Sequence, residues 1–600
     1  AGKPTKETTL MRKILPAILV VMILILAACQ PSGTIQPMPT QQVTASPQVA
    51  VVTPTITPIP SRSLSVCLGQ EPSSLYIYAA SSRAMWSVLE AVYDGPIDTV
   101  HYIPQPVILQ SLPAAVDGSA SLQPVEVQAG QEVVDAYGYL AVLEAGLPIF
   151  PAGCHSSECA IAWDGQSVLQ MDQQVLRFHL KSGIQWSDGT PLTAADSVFS
   201  FQVASDPASP VNRWLLDRTA SYTAADELTV EWVGIPGYLP VKYESVFFTP
   251  LPQHSLGALS AEALLLNDEA NRRPLGWGPY VIEDWVAGDH ISLHKNTRYF
   301  RSGEGLPVFD KLVVRFLGEQ TDNNLNALVN GECDVVDLTT FADEEVAKVL
   351  QMNYEGSLQV YFTQGPEWEH LDLGMKPASY DDGYALSSDR PDFFGDLRVR
   401  QALAACLDRE GLIAKYLYSR STIPTGMYPP DSPLYPAELR AQKFDPVEGA
   451  RLLQEAGWLD ADNDPATPRT AQGVSRVADG TPFRLTYRTT DSALRQKAAA
   501  WFADSLGQCG IQVEVQISNS AELFAAGPDG PIVGRQFDLV QFTWVGGSQP
   551  PCYLYETYQI PSADNLWIGA NISGFSSPEY DAACRALRET RPEEGDLLQS

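Results

Sequence analysis

The sequence predicts an α/β protein, and three observations carry that expectation. Segments with the two-residue alternation of strands and segments with helical spacing follow one another along 600 residues, instead of falling into separate blocks. Turns bearing Pro and Gly punctuate them. Hydrophobic residues make up 45% of the chain and aromatics 9%, enough apolar material for sizeable cores. At ~150 residues per domain the length allows about three or four domain-sized units.

Taken in order, residues 62–78 open with alternating apolar positions and break at Glu71-Pro72-Ser73. Residues 84–93 have helical spacing, and Asp94-Gly95-Pro96 stops them. Residues 175–180 alternate as a strand. A turn at Ser187-Asp188-Gly189-Thr190-Pro191 leads to a helix through Phe201, with Thr193 as N-cap and Asp196 at the third helical position. The strands YVIEDWV, HISLHKN and KLVVRFL precede the helix NNLNALVN and the strand CDVVDL. Residues 396–418 read as one strong helix carrying Arg398, Arg400 and Arg409. Residues 445–457 form another, ended by Gly457, and 492–509 a third, followed by a strand over 511–515. No internal repeat is visible.

Charge narrows the function. The chain has 39 Lys and Arg against 71 Asp and Glu, a net −32. Such a field repels a phosphate backbone and argues against a nucleic-acid partner. There is a single long apolar run, which excludes a multi-span transporter. It lies at residues 14–28, after Met11, Arg12 and Lys13, and is shorter than the ~18–20 residues a bilayer crossing needs. A basic start, a short apolar stretch and the small residues of Leu26-Ala27-Ala28-Cys29 form a secretory signal over 1–28. Its end resembles a bacterial lipobox, which makes Cys29 the expected site of lipidation; a plain signal anchor with a chance Cys is the alternative. Residues 29–61 lack charge and are rich in Pro, Thr, Ser and Gln, an extended linker that holds the body off a membrane.

Six segments of the body point to a family. They are EPSSLYIYA with VLEAVYDGPID, LRFHLKSGIQWSDGTPLTAADSVFSFQ, RRPLGWGPYVIEDWVAGDHISLHKNTRYF, FFGDLRVRQALAACLDREGLI, KFDPVEGARLLQEAGW and FDLVQFTWVGG. In this order they resemble the extracytoplasmic solute-binding proteins of ABC importers, the peptide/nickel-type family 5, over nearly all of 62–600. The resemblance implies a periplasmic-binding-protein-like fold of type II, two lobes with a hinge plus an additional inserted domain. Lobe I would take 62–97 and 219–365, the inserted domain II 98–218, and lobe II (domain III) 366–600. The family's final return to lobe I is missing before Ser600, so the chain is expected to be cut at both ends. The implied role is a non-enzymatic, monomeric, lipid-anchored capture protein on the outer face of the cell membrane. It would take peptides or a related solute in the cleft and pass them to ABC permease subunits.

The resemblance also implies ligand contacts at Tyr78, Trp277, Trp368 and Trp544, each of which could equally be core. Trp277 stands where the family carries a small residue. Gly547 stands where di- and oligopeptide binders carry an Asp for the ligand's ammonium group, so capture of a free N-terminus is not supported there. An oligosaccharide, or a sensor or adhesin role on the same fold, therefore stays open. Arg398 and Arg400 could draw an anionic ligand end or pair with structural carboxylates such as Asp396.

With Cys29 set aside, eight cysteines remain, an even number for an oxidising compartment. Cys154 and Cys159, with His155 and Glu158 between them, suit a small disulfide loop better than a cramped metal site. Cys552 with Cys584 is a further expected pair; Cys67 with Cys333 and Cys406 with Cys509 is one way to join the rest. The acidic run Asp460, Asp462, Asp464 has Pro465 and Ala471 where a calcium loop needs Gly and Glu. No metal or other cofactor is expected. A surface hydrolase is the rival class, but no G-x-S-x-G, H-E-x-x-H, Walker or dinucleotide motif occurs.

Overall fold

The computed structural model describes residues 61–589, apart from 80, 319–323, 338–339, 342–344, 437, 465 and 547–550. The expected signal, Cys29 and most of the linker lie outside the described residues, as does Gly547. Along the first part of the chain run β1 (Ser63–Leu68), helix α1 (Arg83–Val92), the hairpin β2 (Ile97–Val100) and β3 (Ile103–Pro106), β4 (Ala120–Val127), β5 (Leu169–His179) and α2 (Ala194–Ser205). Then come β6 (Thr219–Ala224), β7 (Thr229–Gly234), the short α3 (Asp268–Arg272), β8 (Tyr280–Val286), β9 (His290–Lys295), β10 (Lys311–Phe316) and β11 (Val335–Val336). The second part holds α4 (Val346–Tyr354), β12 (Glu367–Leu373), α5 (Leu397–Cys406), α6 (Arg409–Tyr416), α7 (Pro446–Glu455), β13 (Arg484–Thr490), α8 (Ala493–Gly507), β14 (Gln512–Ser518) and β15 (Leu539–Val545).

Three sheets organise these elements. A five-stranded sheet has the order β8-β9-β10-β1-β11, with β1 parallel to β10 and β11. A four-stranded antiparallel sheet has the order β6-β7-β5-β4. Residues 219–234, expected with lobe I, thus pair into the sheet of the inserted region, because β7 aligns with β5 over Thr229–Val233. The third sheet, β12-β15-β13-β14, mixes an antiparallel pair with two parallel ones.

The first two sheets close on one core that includes Met85, Phe178, Trp186, Trp232 and Trp277. The third sheet packs on its own core of Phe394, Trp458, Phe483, Tyr487 and Leu506. The chain passes between the two bodies through α4 and an extended stretch before β12. The two lobes thus carry separate apolar cores.

Local chemistry explains the elements that frame the gap between lobes. Helix α1 starts at Ser82, whose side chain accepts from the Met85 N–H, and buries Met85, Val88, Leu89 and Val92 at helical spacing. Its last carbonyl, on Val92, accepts from Gly278 N at 2.8 Å. A Cβ at Gly276 would stand 2.0 Å from that Val92 oxygen, so the turn before β8 must be glycine to let the helix end seat on it. Asp196 is buried; it accepts from Thr193 N at 2.9 Å, from Gln253 N at 3.0 Å and from Trp186 Nε1 at 3.3 Å. The contacts of Trp186 and Asp196 are therefore architectural in this chain.

Residues 396–418 are not one helix. Asp408 accepts from Gly411 N at 2.8 Å and caps a new helix, α6, two residues after α5 stops. Asx capping outcompetes helix continuation at that point. Four disulfides are present: Cys67–Cys333, Cys154–Cys159, Cys406–Cys509 and Cys552–Cys584.

Candidate functional site

The described residues fall within one compact unit, in which a side chain of the first lobe reaches the second. On the first lobe, α1 turns its apolar stripe inward and leaves Arg83, Trp86, Ser87 and Glu90 exposed. These positions are spaced i, i+3, i+4, i+7, one face of a helix. Arg83 Nη2 lies 3.6 Å from Glu367 Oε1, the first residue of β12 in the other lobe. Trp86, one turn further along, is 43% exposed, unusual for an indole on a helix surface. The exposed face of α1 therefore forms one wall of the gap between the lobes.

The hairpin β2–β3 extends that wall. Its two-residue turn, His101-Tyr102, has φ of 49° and 63°, the type I′ geometry that Asn and Gly normally supply. Burial, then the carboxylates of Asp431 and Glu367 in the second lobe, push the Tyr102 hydroxyl pKa up. At the far end of the stripe, burial and then Asp98 and Asp94 raise the Glu90 carboxyl. Burial and Asp94 raise Asp98 as well, with Arg301 opposing. Asp94 itself is engaged: Tyr299 donates to its carboxylate, and Arg301 Nη1 lies 3.6 Å away. The wall carries a cation at one end and carboxylates at the other, ~10 Å apart for seven residues of helix.

The opposite wall is the paired ends of β12 and β15. Trp368 and Trp544 face each other in register. His370, next on the same face, has a buried side chain and packs against Trp368, Phe542 and Trp544 with centroids at 5.0, 4.4 and 6.3 Å. Its Nε2 is 3.2 Å from Asp372, whose other oxygen accepts from Tyr555. The Trp368 indole nitrogen is buried without a hydrogen-bond partner among the described residues. Beyond Val545, which is exposed, Gly546 N donates to Pro366 O at 2.7 Å. On the other face, Arg495 Nε reaches Glu369 Oε1 at 2.7 Å and its Nη2 reaches Thr543 at 2.7 Å, fixing the strand pair on α8.

The expected contacts separate. Trp368 and Trp544 sit together on the second lobe's strand ends. Tyr78 is half-buried in the first lobe; its hydroxyl meets Ser200 Oγ at 2.8 Å, and burial pushes its pKa up to about 12. Trp277 is fully buried, with Nε1 donating to Asp94 O at 2.8 Å and its ring against Tyr93 and Trp186. Of the two readings open for Trp277, this environment is that of a core residue. Its bulk fills core space next to α1. Arg398 pairs with Asp396 at 2.5 Å, and Arg400 donates to Phe394 O at 2.7 Å, so both serve the α5 entry. Trp86 and Arg83 were missed because Arg83 precedes the stretch 84–93 read as a helix and Trp86 was taken only as part of its spacing. The signal lay in an indole on the exposed side of that helix.

Among the described residues no group of three or more His, Cys, Asp or Glu gathers for a metal ion. Cys154 and Cys159 are joined to each other, and His155 lies 2.7 Å from Asp172. Asp462 accepts from Thr467 and from the Asp464 N–H, an ordinary polar turn. The gap offers flat aromatic surface, strand-end backbone and separated charges, a set suited to holding a polar, extended solute.

Comparison with known proteins bears on this geometry. Residues 166–565 match the family described as bacterial extracellular solute-binding proteins, family 5 Middle. The oligopeptide-binding protein AppA of Bacillus subtilis (strain 168) is 25% identical over 419 residues, 67% of this chain and 67% of that protein. The chain spans about half to two thirds of the length of the curated relatives it matches. Among solved structures, the substrate-binding protein CtaP of Listeria monocytogenes is similar with a TM-score of 0.59 and 19% identity, over 90% of each chain. NikA of Brucella suis, in complex with Fe(III)-EDTA, is similar with a TM-score of 0.57 and 16% identity, over 89% of this chain and 90% of that one.

Proposed function

The chain belongs to family 5 of the bacterial extracellular solute-binding proteins, and from that premise we propose that it captures a peptide or peptide-like solute in the interlobe cleft. The observation that carries this reading is the opposition of the α1 stripe to the Trp368–Trp544 strand ends, with Arg83 and Glu367 3.6 Å apart across the gap. A solute between these walls would gain aromatic contact from Trp86 on one side and strand-end backbone on the other, and closing the lobes would exclude water around it. The similarity to an oligopeptide-binding protein supports a peptide as cargo.

The reading extends to the protein's setting. The loaded, closed form would dock on the permease of an ABC importer. Lipidation at Cys29, with residues 29–61 as tether, would keep a monomeric body at the outer face of the membrane. No helix among the described residues is long and apolar enough to cross a bilayer. In domain terms, the proposal keeps 62–97 and most of 235–365 as lobe I, the region of the β6-β7-β5-β4 sheet as domain II, and residues from 366 onward as lobe II.

Native mass spectrometry of the purified protein would identify co-purified cargo, and a panel of peptides should raise its melting temperature in proportion to affinity. A shift with oligosaccharides and none with peptides would overturn the peptide assignment. Turnover of any peptide or glycan would overturn the binding-only role.

A further inference from the structure

The segment that carries the chain from the first lobe to the second is fastened at both ends. At its start, Val360 N donates to Asn353 Oδ1 on α4 at 2.9 Å. At its end, Gly546 N donates to Pro366 O at 2.7 Å, which seats it beside the end of β15. Between these points Gln364 Nε2 reaches Thr422 Oγ1 at 3.4 Å, and the Arg420 guanidinium lies 4.9 Å from the centre of the Phe362 ring. Residues 362–366 therefore lie along the second lobe. Tyr361, 84% exposed, stands between the two sets of ties. Glu367, the partner of Arg83 across the gap, directly follows Pro366, so fixing this segment also fixes the backbone that carries that carboxylate.

The backbone that presents Arg420 is strained. Helix α6 ends at Tyr416, and Tyr418 and Ser419 follow with φ of 51° and 58°. One left-handed residue, most often Gly or Asn, is the ordinary helix stop. Two in succession without glycine are costly, and they persist only where the surroundings hold them. Ser419 N donates to Ile413 O at 3.0 Å and Arg420 N donates to Leu417 O at 2.8 Å, which fixes the turn and brings Arg420 over Phe362. The contact is not a core contact: Phe362 is 50% exposed, and Arg420 is exposed as well. A guanidinium stacked on an exposed ring contributes too little to decide folding, but enough to bias two arrangements of the lobes.

We propose that the Arg420–Phe362 stack is a hinge clamp. It holds the connecting segment on the second lobe, confines bending between the lobes to the neighbourhood of Tyr361, and favours the approach at which Arg83 meets Glu367. The inference rests on the reading that the lobes close on a solute, and it adds a control on closure that touches no cargo. With the clamp broken, residues 362–364 leave the second lobe, the flexible connection lengthens, and more open arrangements gain population. Apparent affinity for any cargo then falls with the fraction of closed lobes.

Spin labels at Val116→Cys and Val447→Cys report the distance between the lobes by double electron–electron resonance, in purified protein freed of co-purified solute. Both side chains are exposed; the first lies in the inserted region and the second in α7. Phe362→Ala and Arg420→Ala should each move the balance toward longer distances by about two- to fivefold, the change that one exposed cation–π contact produces. The double variant should move no further than either single one, since both remove the same contact. Phe362→Tyr, which keeps the ring, should match the parent, and all four should melt with it. The proposal is overturned if the alanine variants superimpose on the parent, if their shifts add in the double variant, or if Phe362→Tyr shifts as Phe362→Ala does. No cargo enters the measurement, so a wrong peptide assignment would leave these distances as expected.

Discussion

Arg83 of α1 and Glu367 at the head of β12 stand 3.6 Å apart, one on each lobe. Both side chains are about half exposed, so the pair contributes at most ~1 kcal/mol to stability. Its consequence is for closure. Arg83→Glu should lower affinity for a bound peptide several-fold while moving the melting temperature little. The double exchange Arg83→Glu with Glu367→Arg should restore affinity, and high salt should shrink both effects. Calorimetric titration of the four proteins reads this out; a double exchange no better than the single one would remove the pair from the closing contact.

Two tryptophans should respond in opposite ways. Trp86→Ala removes an exposed ring from the cleft wall and should cost at least about tenfold in peptide affinity with little change in the thermal melt. Trp277→Ala empties the core under α1 and should cost about 3–5 kcal/mol of stability. The fraction that folds at low temperature should still bind. Denaturant melts and titrations on both variants give the contrast directly.

Gly449 on α7 touches the Cys406–Cys509 disulfide. A Cβ there would lie 2.2 Å from Cys406 Sγ and 3.1 Å from Cys509 Sγ. Gly449→Ala should therefore destabilise by about 1–3 kcal/mol through overpacking. Replacing both cysteines by Ala should cost about 2–5 kcal/mol by freeing the unfolded chain. In that background Gly449→Ala should cost markedly less, because the atoms it strikes are gone. Equal costs in the two backgrounds would show that the contact is not what limits the position.

Arg535 is almost fully buried; it donates to Lys376 O at 2.9 Å and to the Asp381 carboxylate. Burial by itself would raise the Asp381 carboxyl, but hydrogen bonds from Arg535 and Lys376 outweigh it and hold the pKa below 3.8. A lowered folded-state pKa means that the pair's stabilisation is complete above the ordinary carboxylate pKa. It is lost as pH falls through the folded value. Asp381→Asn should flatten the stability profile below about pH 4. Arg535→Met should cost less than the about 3–5 kcal/mol of a broken buried pair, because Lys376 Nζ, 2.9 Å from the other Asp381 oxygen, keeps the charge partnered. Chemical denaturation between pH 2.5 and 7 checks both.

Much of the local structure was legible in residue order. Ser82, Thr193 and Asp445 start helices where short polar side chains can cap them, and Gly457, at φ +93°, ends one. Asp408 carried the same kind of signal, but the apolar spacing on either side of it suggested continuity. The strand pairing was less legible. β6 and β7 leave the five-stranded sheet for the β5 sheet, and nothing in their alternation says which edge they will join. The cleft was the least legible. Trp368 and Trp544 were expected as contacts from the resemblance, and the structure sets them opposite each other in register. Trp86 lay within the stretch 84–93 read as a helix and Arg83 just before it, and the exposed face gave no indication of what it faced.

The sequence by itself determined the α/β alternation, the helix caps and the family, because each depends on residues a few positions apart or on motifs in a fixed order. The tertiary structure alone decided the fate of the individual aromatic side chains. Trp277 is buried because Asp94, 183 residues away, accepts its indole N–H. Trp86 is left exposed because the other residues of α1 take the core, and the wall opposite it comes from residues nearly 300 positions further on. Burial is a property of what packs from a distance, and spacing along a chain does not carry that information.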